Sequence, residues 1–179
     1  MSEFKVASRY AKSVIDLARE RNVLDAVHSD MLQIIEVLKQ NTQLQAVLKN
    51  PIIKLDRKEN ILKEIFGKTA NPLLVSFFSM LIKKGRAGVL YQSAKEFITQ
   101  YNVEKGIIEA SVTSASPLSQ EHYNEIVALI KKDYGKEVIL TNRVEPDLIG
   151  GFILTIGDRQ IDTSIAGKLN KLEQLFKHN

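Results

Sequence analysis

Gln100-Tyr101-Asn102-Val103-Glu104-Lys105-Gly106-Ile107-Ile108-Glu109-Ala110-Ser111-Val112-Thr113-Ser114 carries the change of period that decides the fold. Before Gly106 the apolar residues recur every three or four positions, as Leu90, Ala94, Phe97, Ile98 and Tyr101 do. After it Ile108, Ala110, Val112 and Ser114 alternate with Glu109, Ser111 and Thr113. A 3.6-residue period is a helix with one face inward; a 2-residue period is a half-buried strand. The reading is therefore a helix from about Val89 to Glu104, a stop at Lys105-Gly106, then a strand.

Upstream of this point the chain reads as helices throughout. From Phe4 to Arg21 the apolar residues share one half of a helix and the charges share the other. A second helix is predicted over Leu24 to Lys39 and a third over Gln43 to Lys49, ending before Pro51 as helices tend to do. Asp56 with Glu59 three residues on reads as a capping box opening a fourth helix, which runs through Ile61, Leu62, Ile65 and Phe66 to Gly67. Asn71-Pro72 is a cap followed by proline at the first helical position, starting a fifth helix that Gly85 stops.

Downstream, Ser119 reads as the cap of a helix through Tyr123, Ile126, Val127 and Ile130, ending at Tyr134-Gly135. Glu137 to Val144 and Gly151 to Ile156 read as strands. Asp162-Thr163-Ser164 is a cap cluster before a last amphipathic helix of Ile165, Leu169, Leu172, Leu175 and Phe176. The expected class is mainly α: a six-helix bundle over residues 1–105 and a small α+β unit, β-α-β-β-α, over 106–179.

Charge divides at the same place. Residues 1–105 carry 17 basic and 11 acidic side chains, a net of +6, and residues 106–179 carry 8 and 10, a net of −2. Two units with different partners are the expectation. The 179-residue chain has no cysteine, which excludes disulfides, thiolate metal sites and cysteine nucleophiles together. Its longest apolar runs are a few residues, and its first residues lack an apolar signal core, so a soluble protein of the cytoplasmic side is expected.

The residues that could carry chemistry do not converge. His28, His122 and His178 are far apart, with no metal-ligand spacing around them. Asp16 and Glu20, one helical turn apart, read as a solvated face beside Lys12 and Arg19. Gly150-Gly151 leads into a strand, so no helix N-terminus stands there to face a phosphate. A turn or a close backbone approach accounts for it better. Lys83-Lys84-Gly85-Arg86-Ala87-Gly88 contains the Gly-x-x-Gly of an RNA clamp, but inside an all-helical segment without the strands such a clamp needs. No catalytic residue, metal site, cofactor or small-molecule substrate is expected. An RNA-binding adaptor is the alternative reading.

Two helices stand out. In the fifth, Leu73, Leu74, Val75, Phe77, Phe78, Met80, Leu81 and Ile82 sweep more than half of the circumference, where a surface helix needs a stripe of roughly 100°. Either this helix is central in the bundle or part of its apolar face is kept for a partner. In the first, Ala7, Ala11 and Ala18 fall along one line, which serves close packing in the core or a groove for another helix.

Arg9-Tyr10-Ala11-Lys12-Ser13-Val14, with Ala18 beyond, resembles the opening of the δ subunit of F-type ATP synthases, the oligomycin-sensitivity-conferring protein of mitochondria. Asp147-Leu148-Ile149-Gly150-Gly151-Phe152-Ile153-Leu154, followed by Ile161-Asp162-Thr163-Ser164-Ile165 and Leu169, is similar to that family's C-terminal segment. Pro146 and Thr155 depart from the usual residue types there. The resemblance spans the whole chain, through its ordered set of motifs rather than any one of them.

What the resemblance implies is a non-catalytic connector in the peripheral stalk, tying the catalytic head to the b-type stalk so that the head does not turn with the rotor. It would lie on the cytoplasmic face of a bacterial plasma membrane and reach that membrane only through the complex. The first and fifth helices would form a groove for the N-terminal helix of an α subunit, through Ala7, Tyr10, Ala11, Val14, Ala18, Phe77, Met80 and Leu81. The C-terminal unit would meet the end of the stalk, with Gly150, Gly151, Asp162, Ser164, Ile165 and Leu169 as its stalk-facing or structural motif.

Overall fold

The structure is a computed structural model, and it describes residues 3–134 and 137–169. Its chain packing divides it into two units, the first ending at Tyr101 and the second beginning at Asn102. The first contains α1 (Glu3–Glu20), α2 (Leu24–Gln40), α3 (Thr42–Lys49), α4 (Leu55–Phe66), α5 (Pro72–Lys83) and most of α6 (Leu90–Lys105), which a 3₁₀ turn at Ala87–Val89 introduces. The second contains β1 (Ile107–Ser114), α7 (Gln120–Tyr134), β2 (Glu137–Val144), β3 (Phe152–Ile156) and β4 (Arg159–Asp162). A last helix, α8, is described over 165–169. The expected mainly-α class with a small α+β unit is the class observed.

The core of the first unit is aliphatic and aromatic. Phe97, Met31, Ile34, Leu38, Leu74, Leu81 and Ile82 are among its fully buried side chains. Each such burial contributes about 1.5–3 kcal/mol against an exposed reference. Asn71 caps α5 as its sequence suggests: its side chain accepts from the Leu73 amide at 3.0 Å, and its own amide donates to Asp30 at 2.7 Å, tying α5 to α2. His28 lies flat against the Tyr101 ring at 3.9 Å, and the Tyr101 hydroxyl is 2.8 Å from Asp25, which gives that histidine a packing role.

The capping box at Asp56 and Glu59 is not formed. α4 begins two residues earlier, with Lys54 at the cap position and no side-chain cap bond. Asp56 falls in the first turn, where its charge suits the positive end of the helix. Glu59 accepts instead from the Ser79 hydroxyl at 2.8 Å and pairs with the Lys63 ammonium at 2.8 Å. Two partners, one of them charged, outcompete a single local backbone amide.

In the second unit the strand order is β2-β1-β3-β4. β1 and β2 are parallel, joined by the crossover helix α7, and β3 and β4 continue antiparallel. The sheet has one more strand than the period of the sequence predicts. β4 follows β3 through a two-residue turn, Gly157-Asp158, in which Gly157 takes φ +56°. Ala110, Val112, Leu140 and Leu154 on one sheet face pack against Ile126 and Ile130 of α7. Ser119 caps α7, accepting from the His122 amide at 3.2 Å. Gly135, the expected stop of α7, and Leu172, Leu175 and Phe176 of the last helix lie outside the described residues.

Candidate functional site

α5 is central to the bundle and still leaves part of its circumference open. Leu73, Leu74, Phe77, Phe78, Leu81 and Ile82 are buried, so the helix is central to the bundle. The remaining arc is open: Val75, Ser76, Ser79 and Met80, with Lys83 and Lys84 at the C-terminal end, line a surface groove whose exposed wall is mainly apolar. Val75 and Met80 form its two rims, because 100° per residue places them on opposite edges of the arc.

α1 meets α5 where Tyr10 touches Phe77 edge-on, with ring centroids 6.3 Å apart at 67°. Met80, one turn beyond Phe77, is half-buried, and so is Tyr10. Tyr10 borders the seam between α1 and α5, and Met80 lies on the open arc of α5 next to Phe77. The other groove residues suggested by the sequence are deeper: Ala7, Ala11, Val14, Ala18, Phe77 and Leu81 are all buried in the bundle. The alanine line is covered by the chain's own helices, and α6 reaches α1 through Gln100, which donates to the carbonyl and hydroxyl oxygens of Ser8 at 3.1 and 3.0 Å. The alanines thus set how closely the helices pack, while Tyr10, Met80 and Val75 are what this side presents. Sequence reasoning left out Val75, Ser79, Lys83 and Lys84 as lining residues. The signal that finds them is the helical wheel, on which they fill the gap between the buried positions.

One ionised pair marks the groove. Lys63 beside Glu59, together with the hydroxyl of Ser79, holds the Glu59 carboxyl below its ordinary range, with Lys83 adding a weaker pull. Glu59 is thereby committed to its own neighbours.

The C-terminal motif is a single locked turn. Ile149 and Gly151 both take positive φ, +64° and +75°. A side chain at Gly151 would sit 2.6 Å from the Thr163 carbonyl oxygen, so only glycine allows this approach. Thr163 donates to the Phe152 carbonyl through both its amide and its hydroxyl, at 3.0 and 2.8 Å. The Ile165 amide donates to the Gly150 carbonyl at 3.0 Å. Asp162 accepts from the amide and hydroxyl of buried Ser164 at 2.8 and 2.6 Å, and Ser164 in turn accepts from the Gly167 amide at 3.0 Å, capping α8. The close-approach reading of Gly150-Gly151 is the observed one. Ile149, Ile165 and Leu169 are exposed beside this turn, as is Leu129 on α7.

The family model for the ATP synthase delta (OSCP) subunit matches residues 6–176. The chain belongs to that family. An ATP synthase subunit delta of Cytophaga hutchinsonii is 42% identical over 176 residues, covering 98% of this chain and 96% of the relative. Those of Christiangramia forsetii and, from a chloroplast, Ochrosphaera neapolitana are each 35% identical, over 98% of this chain and 95% and 99% of theirs. The fold is that of a chain in the mitochondrial ATP synthase hexamer of Toxoplasma gondii, with a TM-score of 0.75 at 23% identity, covering 95% and 96% of the two chains. As a member of the delta (OSCP) family the chain is a structural, non-catalytic subunit of the F-type ATP synthase and a component of its peripheral stalk. No helix of the described residues is long and apolar enough to cross a membrane.

Proposed function

We propose that this subunit ties the catalytic head to the b-type stalk, with its first unit holding the N-terminal helix of an α subunit and its second unit meeting the stalk. The observation that carries the reading is the open arc of α5: a helix otherwise buried in the bundle keeps a mainly apolar strip at the surface, rimmed by Val75 and Met80, while Tyr10 of α1 packs on the neighbouring Phe77. An amphipathic helix laid into such a strip supplies anchors at helical spacing. Exposed Leu129, Ile149, Ile165 and Leu169 support a second apolar contact on the second unit, for the end of the stalk.

The role asks for attachment that survives torque rather than for proton transfer. Rotor rotation driven by protons loads the head, and a connector resists that load through slow dissociation, which buried apolar anchors provide. Catalytic, nucleotide, cofactor or nucleic-acid chemistry has no part in this reading. The site of action is the cytoplasmic face of the plasma membrane in a bacterium, reached through the other subunits. The Gly-x-x-Gly at Gly85–Gly88 joins α5 to α6 within the helical unit, with Gly85 in the left-handed region at φ +65°. That is a helix-stop geometry, and it favours the connector over the RNA-binding adaptor.

The test is isolation of the tagged full chain from its own detergent-solubilised membranes, with the co-purifying subunits identified by mass spectrometry. Recovery of α and b-type subunits in fixed proportion supports the connector. Recovery of ribonucleoprotein in their place refutes it.

A further inference from the structure

We infer that the groove on α5 takes its helix in one direction only, because its C-terminal end is a cationic clamp for an acidic side chain. This rests on the reading of the groove as a helix-binding site and adds the chemistry of the occupant: an amphipathic helix carrying a carboxylate at the end that lies over Lys83 and Lys84.

The groove runs from Val75 and Ser76 to Lys83 and Lys84, a span of about 14 Å, or roughly three turns of an occupant helix. Its first two turns offer Val75 and Met80 as apolar rims. Its last turn offers two exposed ammonium groups. Among the described residues, the carboxylate that borders the lining is that of Glu59, which touches Ser79 and is already paired with Lys63 at 2.8 Å. Glu59 and Lys63 offset each other, so the surplus at this end is the two positive charges of Lys83 and Lys84. Neither makes an ion pair within 4 Å among the described residues. The last turn of α5 adds the negative end of its own helix dipole, which favours keeping lysines there but is only a partial charge. An apolar strip with like charges at one end distinguishes the two orientations of a bound helix: one brings a carboxylate to the lysines, the other strands it over Val75 and Ser76. Charge at an interface acts in this way more on orientation and association rate than on the bulk of the affinity.

The probe is a synthetic peptide of the α subunit's N-terminal helix from the same organism, read by fluorescence anisotropy with the full chain. The variant is Lys83→Glu/Lys84→Glu. Both positions are exposed, and an unchanged unfolding midpoint confirms that the variant folds. With both exposed charges reversed, binding weakens by about tenfold at low salt. Raising the salt from about 0.05 to 0.5 M, where the Debye length falls severalfold, weakens the parent and not the variant. A peptide with its acidic residues changed to amides binds parent and variant alike. If the parent binds the peptide but the folded variant binds it equally tightly, with the same salt dependence, the clamp is wrong while the groove stands. If the parent chain does not bind the peptide at all, the helix-binding reading itself falls, and the clamp with it.

Discussion

The ammonium of Lys58 lies 2.8 Å from the carbonyl oxygen of Leu48, inside the first unit, with only 5% of the lysine exposed. Leu48 is in the last turn of α3, where carbonyls have no partner further along the helix. Lys58 of α4 supplies that partner across the short connection at Asn50–Lys54, and it places a positive charge at the negative end of α3. One side chain thus caps a helix and fixes the angle between two.

Replacing Lys58 with Met keeps most of the packed stem and removes the donor. The Leu48 carbonyl is then buried without a partner, at a cost of about 1–3 kcal/mol. Denaturant unfolding of the full chain reads this as a lower midpoint with an unchanged slope. An unchanged midpoint would mean that water replaces the ammonium.

Gly151→Ala and Gly167→Ala strike the locked turn from two sides. The added methyl of the first meets the Thr163 carbonyl oxygen at 2.6 Å with φ at +75°, and that of the second meets the Asp162 carboxylate. The first forces a backbone shift at a position with left-handed φ, and the second pushes the Asp162 carboxylate off Ser164; each is expected to cost on the order of 1–3 kcal/mol. Hydrogen exchange is the measurement: amides of β3 and β4 lose protection in both variants, while those of α2 and α5 keep it. Uniform loss over both units would show that they unfold as one.

Glu59 gives the first unit an acid dependence whose sign follows from its environment. Lys63 and Ser79 hold its carboxyl below the ordinary value of 4.5. A group with a lowered folded pKa stabilises the fold above the unfolded value, and this contribution fades as pH falls through the folded value. Thermal unfolding of the parent and of Glu59→Gln should therefore differ near neutrality and converge in acid, as pH falls through the lowered folded value. A gap that persists once the carboxyl is protonated in both states would assign the effect to packing.

Separability of the units is expected at the end of α6. Gly106 takes φ +70°, and the compact units divide only a few residues upstream, after Tyr101. Limited trypsin digestion of the full chain should cut first near Lys105 and leave a helical N-terminal fragment. An initial cut within α1 would place the weak point elsewhere.

Much of this architecture is legible in the residues themselves. The switch at Gly106, the caps at Asn71 and Ser119 and the inward faces of the helices depend on local chemistry and period alone. What escapes them is set by residues far apart in the chain. The Asp56–Glu59 pattern matches a capping box, yet Glu59 goes to Ser79, twenty residues away. β4 is four exposed residues in which Ile161 alone suggests a strand, so its pairing with β3 is visible only once the Gly157-Asp158 turn is folded. Lys58 interrupts an inward face as a charge, and nothing in its neighbours tells that a carbonyl awaits it. For the candidate site, the sequence singles out the first and fifth helices, and the depth of each residue in them is seen only in the fold. Alanines in a line mark close approach, and only the folded bundle shows that the chain's own helices make that approach.

The central claim is that the open arc of α5 holds a helix of the α subunit. Met80 is the direct probe, being half-buried on the rim of that arc. Titration calorimetry of the full chain and of Met80→Arg with the α-subunit N-terminal peptide tests it, with unfolding curves run in parallel. The account predicts saturable one-to-one binding by the parent, and a loss of about 2 kcal/mol or more in a variant that unfolds at the parent's midpoint. Equal affinity of parent and folded variant would contradict it.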